Sequence, residues 1–160
     1  MEKAPRPKVV GGINVRVITG CGNMYIQLGW CNGKLFEVFA TLGRGGGCAM
    51  GFSEALTRSV TAGLRCDVPV AEYVRQLKGV LCPSPRPFPK DDAVMSCPDA
   101  IGKVLESYGS LTTEDMIKLI QALSSQPSQL SEEDEKKEAI RNMENLRAER
   151  ERQESENGSR

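Results

Sequence analysis

The sequence predicts an α+β domain in which a three-stranded antiparallel meander packs against about three helices, with an extra C-terminal helix and a charged tail. Three observations support this prediction. Apolar side chains alternate along three early segments joined by tight-turn signals, helical periodicity follows them, and the last thirty residues are rich in charge. A chain of 160 residues with 39% apolar side chains is long enough for one domain with extensions.

The predicted strands follow a basic lead-in, residues 1–12, which we expect to be flexible. Their alternating apolar side chains lie in residues 15–17, 24–28 and 36–42. Glycine-containing turns separate the three segments, and the clearest is Asn32-Gly33, a dipeptide typical of two-residue hairpin turns. Short turns between alternating segments predict an antiparallel meander with one apolar face.

Helical periodicity begins after a glycine-rich run at residues 43–47. The first helix is predicted to pack through one face that is formed by Ala49, Phe52, Ser53, Leu56, Val60, Gly63 and Leu64. Three further helices are predicted to begin near residues 69, 96 and 112. The predicted divisions are the lead-in at 1–12, a domain at 13–110, an additional helix at 111–124, and a charged tail at 125–160 that is disordered or a single helix.

Charge and composition exclude several classes of protein. The formal charge is zero, because −3 in residues 131–160 balances +3 in the remainder. This balance, together with aromatic side chains that are not interleaved with basic ones, leads us to expect no direct nucleic-acid binding. No apolar run approaches a membrane span and no secretory leader is recognisable, so we expect a cytoplasmic protein. The absence of histidine excludes Ser-His and Cys-His nucleophile pairs.

Six cysteines in a cytosolic chain are better interpreted as structural thiols, metal ligands or redox thiols than as disulfides. Four of them lie at turns or at the ends of predicted elements: Cys21, Cys48, Cys82 and Cys97. Zinc prefers four soft ligands in a tetrahedron, and four thiolates converging from such places supply them. The alternative is a set of ordinary buried thiols. The remaining two, Cys31 and Cys66, are interpreted as bystanders.

Cys97 lies in the first turn of a predicted helix, with Ser96 as its N-cap and Asp99 three residues later in a capping-box arrangement. The N–H groups and the dipole of a helix N-terminus favour a thiolate at this place. Cys97 is therefore a candidate for a ligand or a redox group.

The glycine-rich run Gly43-Arg44-Gly45-Gly46-Gly47 is a candidate anion- or nucleotide-binding loop. Backbone N–H groups that precede a helix can cradle an anion, and the Arg44 guanidinium would assist them. The run lacks the Gly-Lys-Ser/Thr of a P-loop and the βαβ context of a dinucleotide fingerprint. The alternative is a turn that lets Cys48 approach the other thiols.

Several separated segments together resemble the TSCPD domain, which is named for a Thr-Ser-Cys-Pro-Asp motif. The segments are 19–26 (TGCGNMYI), 36–39 (FEVF), 42–43 (LG), 46–48 (GGC), 76–83 (QLKGVLCP) and 96–101 (SCPDAI). The resemblance covers roughly residues 14–108 in the right order, and Met95 stands where the named motif has threonine. The TSCPD domain is found mostly at the C-terminus of class II, cobalamin-dependent ribonucleotide reductases, and also in small free-standing proteins.

The resemblance implies that Cys21, Cys48, Cys82 and Cys97 form one set, because these four cysteines lie within the family-like segments. It implies a zinc-binding accessory or binding module related to ribonucleotide reductase, with a role in nucleotide metabolism and DNA synthesis through deoxynucleotide supply. The implied partner is a protein, such as a reductase or another nucleotide enzyme. We expect no nucleotide reduction by this chain alone, because it has no room for the catalytic barrel, and its status as an enzyme is left open.

Three alternatives accompany this interpretation. An iron–sulfur cluster, which also takes four cysteines, is the alternative cofactor. A thiol redox or electron-transfer protein that uses Cys97 is the first alternative function. A small nucleotide-binding regulator that uses the glycine-rich loop at 43–47 is the second.

Overall fold

The structure is a computed structural model that describes residues 2–43 and 47–124, apart from the side chains of Asp91 and Leu123. The chain divides into two units, residues 1–119 and residues 120–160. The first unit contains the sheet and most of the helices. Of the second unit, only residues 120–124, at the end of a helix, are described. The predicted charged tail at 125–160 lies outside the described residues.

Three strands and four α-helices follow one another along the described residues. The strands are β1 (Gly11–Thr19), β2 (Gly22–Cys31) and β3 (Lys34–Leu42), and the helices are α1 (Cys48–Leu64), α2 (Val70–Leu77), α3 (Cys97–Tyr108) and α4 (Thr113–Ser124). Strand β2 lies between β1 and β3 and pairs antiparallel with both. This arrangement confirms the predicted α+β class and meander. No helix in the described part of the chain combines the length and apolarity needed to cross a membrane.

The core lies against one face of the sheet, here called the inner face. The strand register places Val15, Ile26 and Ala40 side by side on this face, and Val17, Met24 and Leu42 form the next row. Helix α3 contributes four buried side chains to the same core: Ala100, Ile101, Val104 and Leu105. Full burial of one large aliphatic side chain contributes about 1.5–3 kcal/mol relative to exposure. These contacts fix α3 against the sheet, and with it Cys97 at its N-terminal end.

Helix α1 covers the outer edge of β3. The hydroxyl of Thr61 accepts a hydrogen bond of 2.9 Å from the backbone N–H of Val38 and donates one of 2.8 Å to the backbone carbonyl of Val38. One threonine side chain therefore does at this edge what a neighbouring strand would do. An edge strand that is covered in this way cannot pair with another chain along the protected stretch.

The face that α1 buries agrees with the predicted one at Ser53, Val60 and Leu64 and differs from it at Phe52. The buried residues of the helix are Ser53, Thr57, Val60, Thr61 and Leu64. Phe52, which helical periodicity placed on the packed face, is 75% exposed. The placement of Phe52 was wrong because α1 lies along a strand edge, where small hydroxyl side chains fit closely against the backbone and a bulky ring does not.

Residues 2–10, which belong to the lead-in predicted at 1–12, make specific contacts with the domain. The guanidinium of Arg6 binds both carboxylate oxygens of Glu37, at 2.6 and 2.8 Å, and Glu37 is buried. The backbone N–H of Ala4 donates to the carbonyl of Arg65, whose guanidinium donates to the carbonyl of Ala4 and lies 5.3 Å from the centre of the Phe36 ring. The lead-in is thereby attached to both β3 and the end of α1.

Candidate functional site

Three of the four predicted cysteine ligands line one cavity of about 550 Å³ at one end of the sheet. Cys21 lies in the turn between β1 and β2, Cys82 lies in the loop after α2, and Cys97 is the first residue of α3. The other side chains around this cavity are mostly apolar or small: Ala49, Phe52, Ser53, Leu56, Pro83, Ser84 and Pro98. The fold therefore brings together thiols that lie up to 76 residues apart in the chain.

Cys97 is the buried member of this group, and it interacts with the thiol of Cys21. Burial raises the pKa of Cys97, and the nearby Cys21 raises it further through its charge and its hydrogen bond. The nearby hydroxyls of Thr19 and Ser53 lower the pKa of Cys97 but do not compensate. The raised pKa of Cys97 contrasts with the sequence-based expectation that the helix N-terminus favours a thiolate there, and its main cause is burial.

The two hydroxyls beside Cys97 were not identified from the sequence. Thr19 is buried; its hydroxyl donates to the carbonyl of Gly22 at 2.9 Å and accepts from the N–H of Cys21 at 3.2 Å. Ser53 is also buried, and its hydroxyl donates to the carbonyl of Ala49 at 2.8 Å. Thr19 thus shapes the turn that carries Cys21. The position of Thr19 directly before the Gly-Cys-Gly turn was a usable signal. The helical pattern placed Ser53 on the packed face of α1 without linking it to Cys97.

The segment 95–99 positions the Cys82 loop beside Cys97. Ser96 caps α3, as predicted, by accepting a hydrogen bond of 3.1 Å from the N–H of Asp99, and its hydroxyl also donates to the carbonyl of Val80 at 2.6 Å. The N–H of Cys82 donates to the carbonyl of Met95 at 3.1 Å. These bonds join two loops that are separated in sequence, so the two thiols at their ends face one cavity.

Asp99 completes this connection from a buried position, with 1% of its surface exposed. Its carboxylate accepts hydrogen bonds from the N–H of Gly79 at 2.7 Å and from the N–H of Met95 at 2.9 Å. Lys103, one turn later in α3, forms an ion pair with it at 2.9 Å. The sequence predicted a capping box, but the carboxylate instead connects the end of α2 to the start of α3.

The stability of the fold is expected to depend on pH through Asp99. Burial raises the pKa of Asp99, but the N–H groups of Met95 and Gly79 and the Lys103 ammonium outweigh it, so the pKa is lowered. A carboxyl group with a lowered pKa stabilises the fold above its unfolded-state pKa of about 3.9 and loses that contribution as the pH falls through its folded-state value. The difference in unfolding free energy between the wild type and Asp99→Asn should therefore shrink below about pH 4. Urea denaturation of both proteins measures this difference in unfolding free energy. A difference that stays constant down to about pH 2 would contradict the predicted pH dependence.

The fourth predicted ligand, Cys48, is exposed at the first position of α1. It does not line the cavity, although the next residue, Ala49, does. Within residues 2–43 and 47–124, no three histidine, cysteine, aspartate or glutamate side chains form a group that could hold a metal ion. A four-cysteine site thus stays a prediction. The two cysteines interpreted as bystanders, Cys31 and Cys66, are half-buried and lie outside the cavity lining.

The candidate anion-binding loop is described only at its two ends. The N–H of Gly43 donates to the carbonyl of Asn23 at 2.8 Å. Gly47 precedes α1 with a φ of 77°, a conformation that favours glycine. Arg44, Gly45 and Gly46 lie outside the described residues, so the predicted anion site stays a prediction.

The geometry defines a class of protein, namely a small α+β domain with a three-stranded sheet and a cavity lined by thiols from three separate parts of the chain. The family model of the TSCPD domain matches residues 2–109, and the chain therefore belongs to the TSCPD domain family. The match begins at residue 2, so it includes the lead-in that Arg6 and Ala4 attach to the domain. No curated protein and no solved structure matches the chain.

Proposed function

We propose that this protein is a zinc-binding accessory module, in which the thiolates of Cys21, Cys48, Cys82 and Cys97 hold one zinc ion that fixes the surrounding loops. The module acts through a protein partner and not as a complete catalyst. The partner we propose is a ribonucleotide reductase or another enzyme of nucleotide metabolism, and this part of the proposal is supported by the family resemblance alone.

The observation that supports the zinc site is the convergence of Cys21, Cys82 and Cys97 on one cavity. A structural zinc site needs four ligands, and thiolate sulfur atoms bind zinc at about 2.3 Å. Cys21 and Cys97 already interact, so zinc binding requires the side chains of Cys82 and Cys48 to close onto this pair. Cys48 lies directly before the cavity-lining residue Ala49 and directly after Gly47, which places its side chain near the cavity along the chain.

The chemistry of the cavity favours a metal over a redox role. A redox thiol of the kind considered for Cys97 needs a lowered pKa, whereas burial and Cys21 raise the pKa of Cys97. A bound divalent cation reverses this effect, because a coordinating thiol loses its proton outright. The apolar surroundings of Cys97 are therefore suited to a thiolate only when a cation balances its charge.

The test is elemental analysis of the full chain, together with a count of free thiols before and after chelation. About one zinc per chain is expected, with four thiols protected until the chelator removes the metal. Cys48→Ser is the most informative variant, because Cys48 is exposed and its replacement should leave the metal-free fold intact while most of the zinc is lost. Cys31→Ser and Cys66→Ser are the matched controls and should retain zinc.

Three outcomes would overturn the zinc proposal. The first is a metal-free protein in which all six thiols titrate freely, and the second is equal zinc loss in the control variants. The third is iron with visible absorption in place of zinc, which would indicate an iron–sulfur cluster instead.

A further inference from the structure

The face of the sheet opposite the core, here called the outer face, carries two aromatic side chains on neighbouring strands. The strand register places Tyr25 between Arg16 and Thr41, and it places Phe39 beside Gln27, with Asn14 on the far side. Phe39 is 38% exposed and Tyr25 is half-buried. Tyr25 and Phe39 therefore occupy diagonally neighbouring positions on the two strands. At this spacing, two adjacent flat groups of one ligand can each stack on one ring.

A shallow groove of about 370 Å³ runs across this face beside the lead-in. Its lining includes Phe39, the amide side chains of Asn14 and Gln27, and the ion pair of Arg6 and Glu37. Both amides are exposed. The groove thus combines an aromatic surface with groups that can donate and accept hydrogen bonds.

The charge around the outer face is positive. Residues 2–42, which form the lead-in and the sheet, contain five basic side chains and two acidic ones. Arg6 pairs with Glu37 and Lys34 pairs with Asp67, which leaves Lys3, Lys8 and Arg16 against Glu2. Arg16 is exposed and forms no ion pair with the acidic residues in the described part of the chain. A polyanion that approaches this face therefore meets uncompensated positive charge.

We propose that the outer face binds single-stranded nucleic acid, with two bases stacked on Tyr25 and Phe39 and the phosphate backbone near Arg16 and the lead-in lysines. Stacking on aromatic side chains combined with a basic surface is the general means by which proteins hold unpaired strands. Exposed amides beside the rings supply contacts to base edges. A duplex offers no unstacked bases to such a flat surface, so the proposal is restricted to single strands.

Composition and spacing alone led us to expect no direct nucleic-acid binding, for two reasons. The balanced charge of the whole chain concealed the positive charge of residues 2–42. The aromatic and basic residues also lie apart in sequence, and only the pairing of β1 with β2 places Arg16 beside Tyr25.

The experiment is fluorescence polarisation of the full chain with labelled oligothymidine and oligoadenosine of about 12 nucleotides, at several salt concentrations. Binding should weaken as salt rises. Tyr25→Leu and Phe39→Leu should each weaken binding by about tenfold, since they keep apolar bulk and remove the ring, whereas Tyr25→Phe should bind like the wild type. Arg16→Glu should also weaken binding and reduce its salt dependence.

The controls lie on α1, away from the sheet face. Phe52→Leu removes an exposed aromatic ring, and Arg58→Glu makes the same change of charge as Arg16→Glu; both should leave binding unchanged. Circular dichroism and melting temperature check that each variant is folded. The proposal is overturned if the wild type does not bind at low salt, if the α1 controls weaken binding as much as the sheet variants, or if duplex DNA binds as tightly as single strands. Binding of an extended peptide to β1, without oligonucleotide binding, would also overturn it.

Discussion

Replacement of Asp99 by asparagine is expected to lower the free energy of unfolding by about 1–3 kcal/mol. The change is nearly isosteric, so the loss does not come from a cavity. Asparagine retains one acceptor oxygen where the carboxylate uses two for the N–H groups of Gly79 and Met95, and it carries no charge to pair with Lys103. A buried N–H without a partner destabilises the folded state, whereas the partly exposed ammonium of Lys103 keeps the carbonyl of Ala93 as an acceptor. Urea denaturation at neutral pH measures the loss.

Glu106→Gln is the matched control for Asp99→Asn. Glu106 also lies on α3 and also pairs with a lysine, Lys78, but both side chains are about half exposed. Exposed ion pairs contribute about 0–1 kcal/mol, so this variant should unfold almost like the wild type. If Asp99→Asn costs no more than Glu106→Gln, the connection between α2 and α3 does not depend on the carboxylate.

The variant Thr61→Val is expected to cost about 1–3 kcal/mol for each of the two backbone groups of Val38 that it leaves without a partner. Valine has nearly the shape of threonine, so the packing of α1 against β3 is retained while both hydrogen bonds at the strand edge are removed. Thermal or urea denaturation measures the loss. Faster hydrogen exchange at the amide of Val38 should accompany it, because that N–H loses its acceptor.

The control for this variant is another buried threonine of the same helix. The hydroxyl of Thr57 bonds only to the carbonyls of Ser53 and Glu54 within α1. Thr57→Val therefore removes a hydroxyl without leaving a strand edge unpaired, and it should cost clearly less than Thr61→Val. Equal losses in the two variants would mean that the hydroxyl of Thr61 has no special role at the edge of β3.

The strands could be predicted from the sequence because both signals that define them are local. Alternation places Ile26 and Leu28 on one face, and Asn32-Gly33 closes the second hairpin where the structure has both residues at positive φ. The position of α1 could not be predicted in this way. Helical periodicity indicates an apolar face but not its partner, and Thr61 gains its role only because the edge of β3 lies beside it.

The sequence indicated which cysteines would meet at the cavity better than it indicated how they affect one another's pKa. Cysteines at turns pointed to Cys21, Cys82 and Cys97, because irregular backbone lies at the ends of elements and such ends meet in a small domain. The raised pKa of Cys97 could not be predicted, since it depends on burial and on the distant Cys21. The bonds of Asp99 to Gly79 and Met95 likewise depend on how two loops meet.

The contact between Cys21 and Cys97 also constrains the order in which this protein can assemble. Most of the domain lies between these two residues in the sequence, namely β2, β3, α1 and α2. Closing so long a loop carries an entropic cost that the intervening contacts must already offset. We therefore expect the thiol cavity to be among the last features to form during folding.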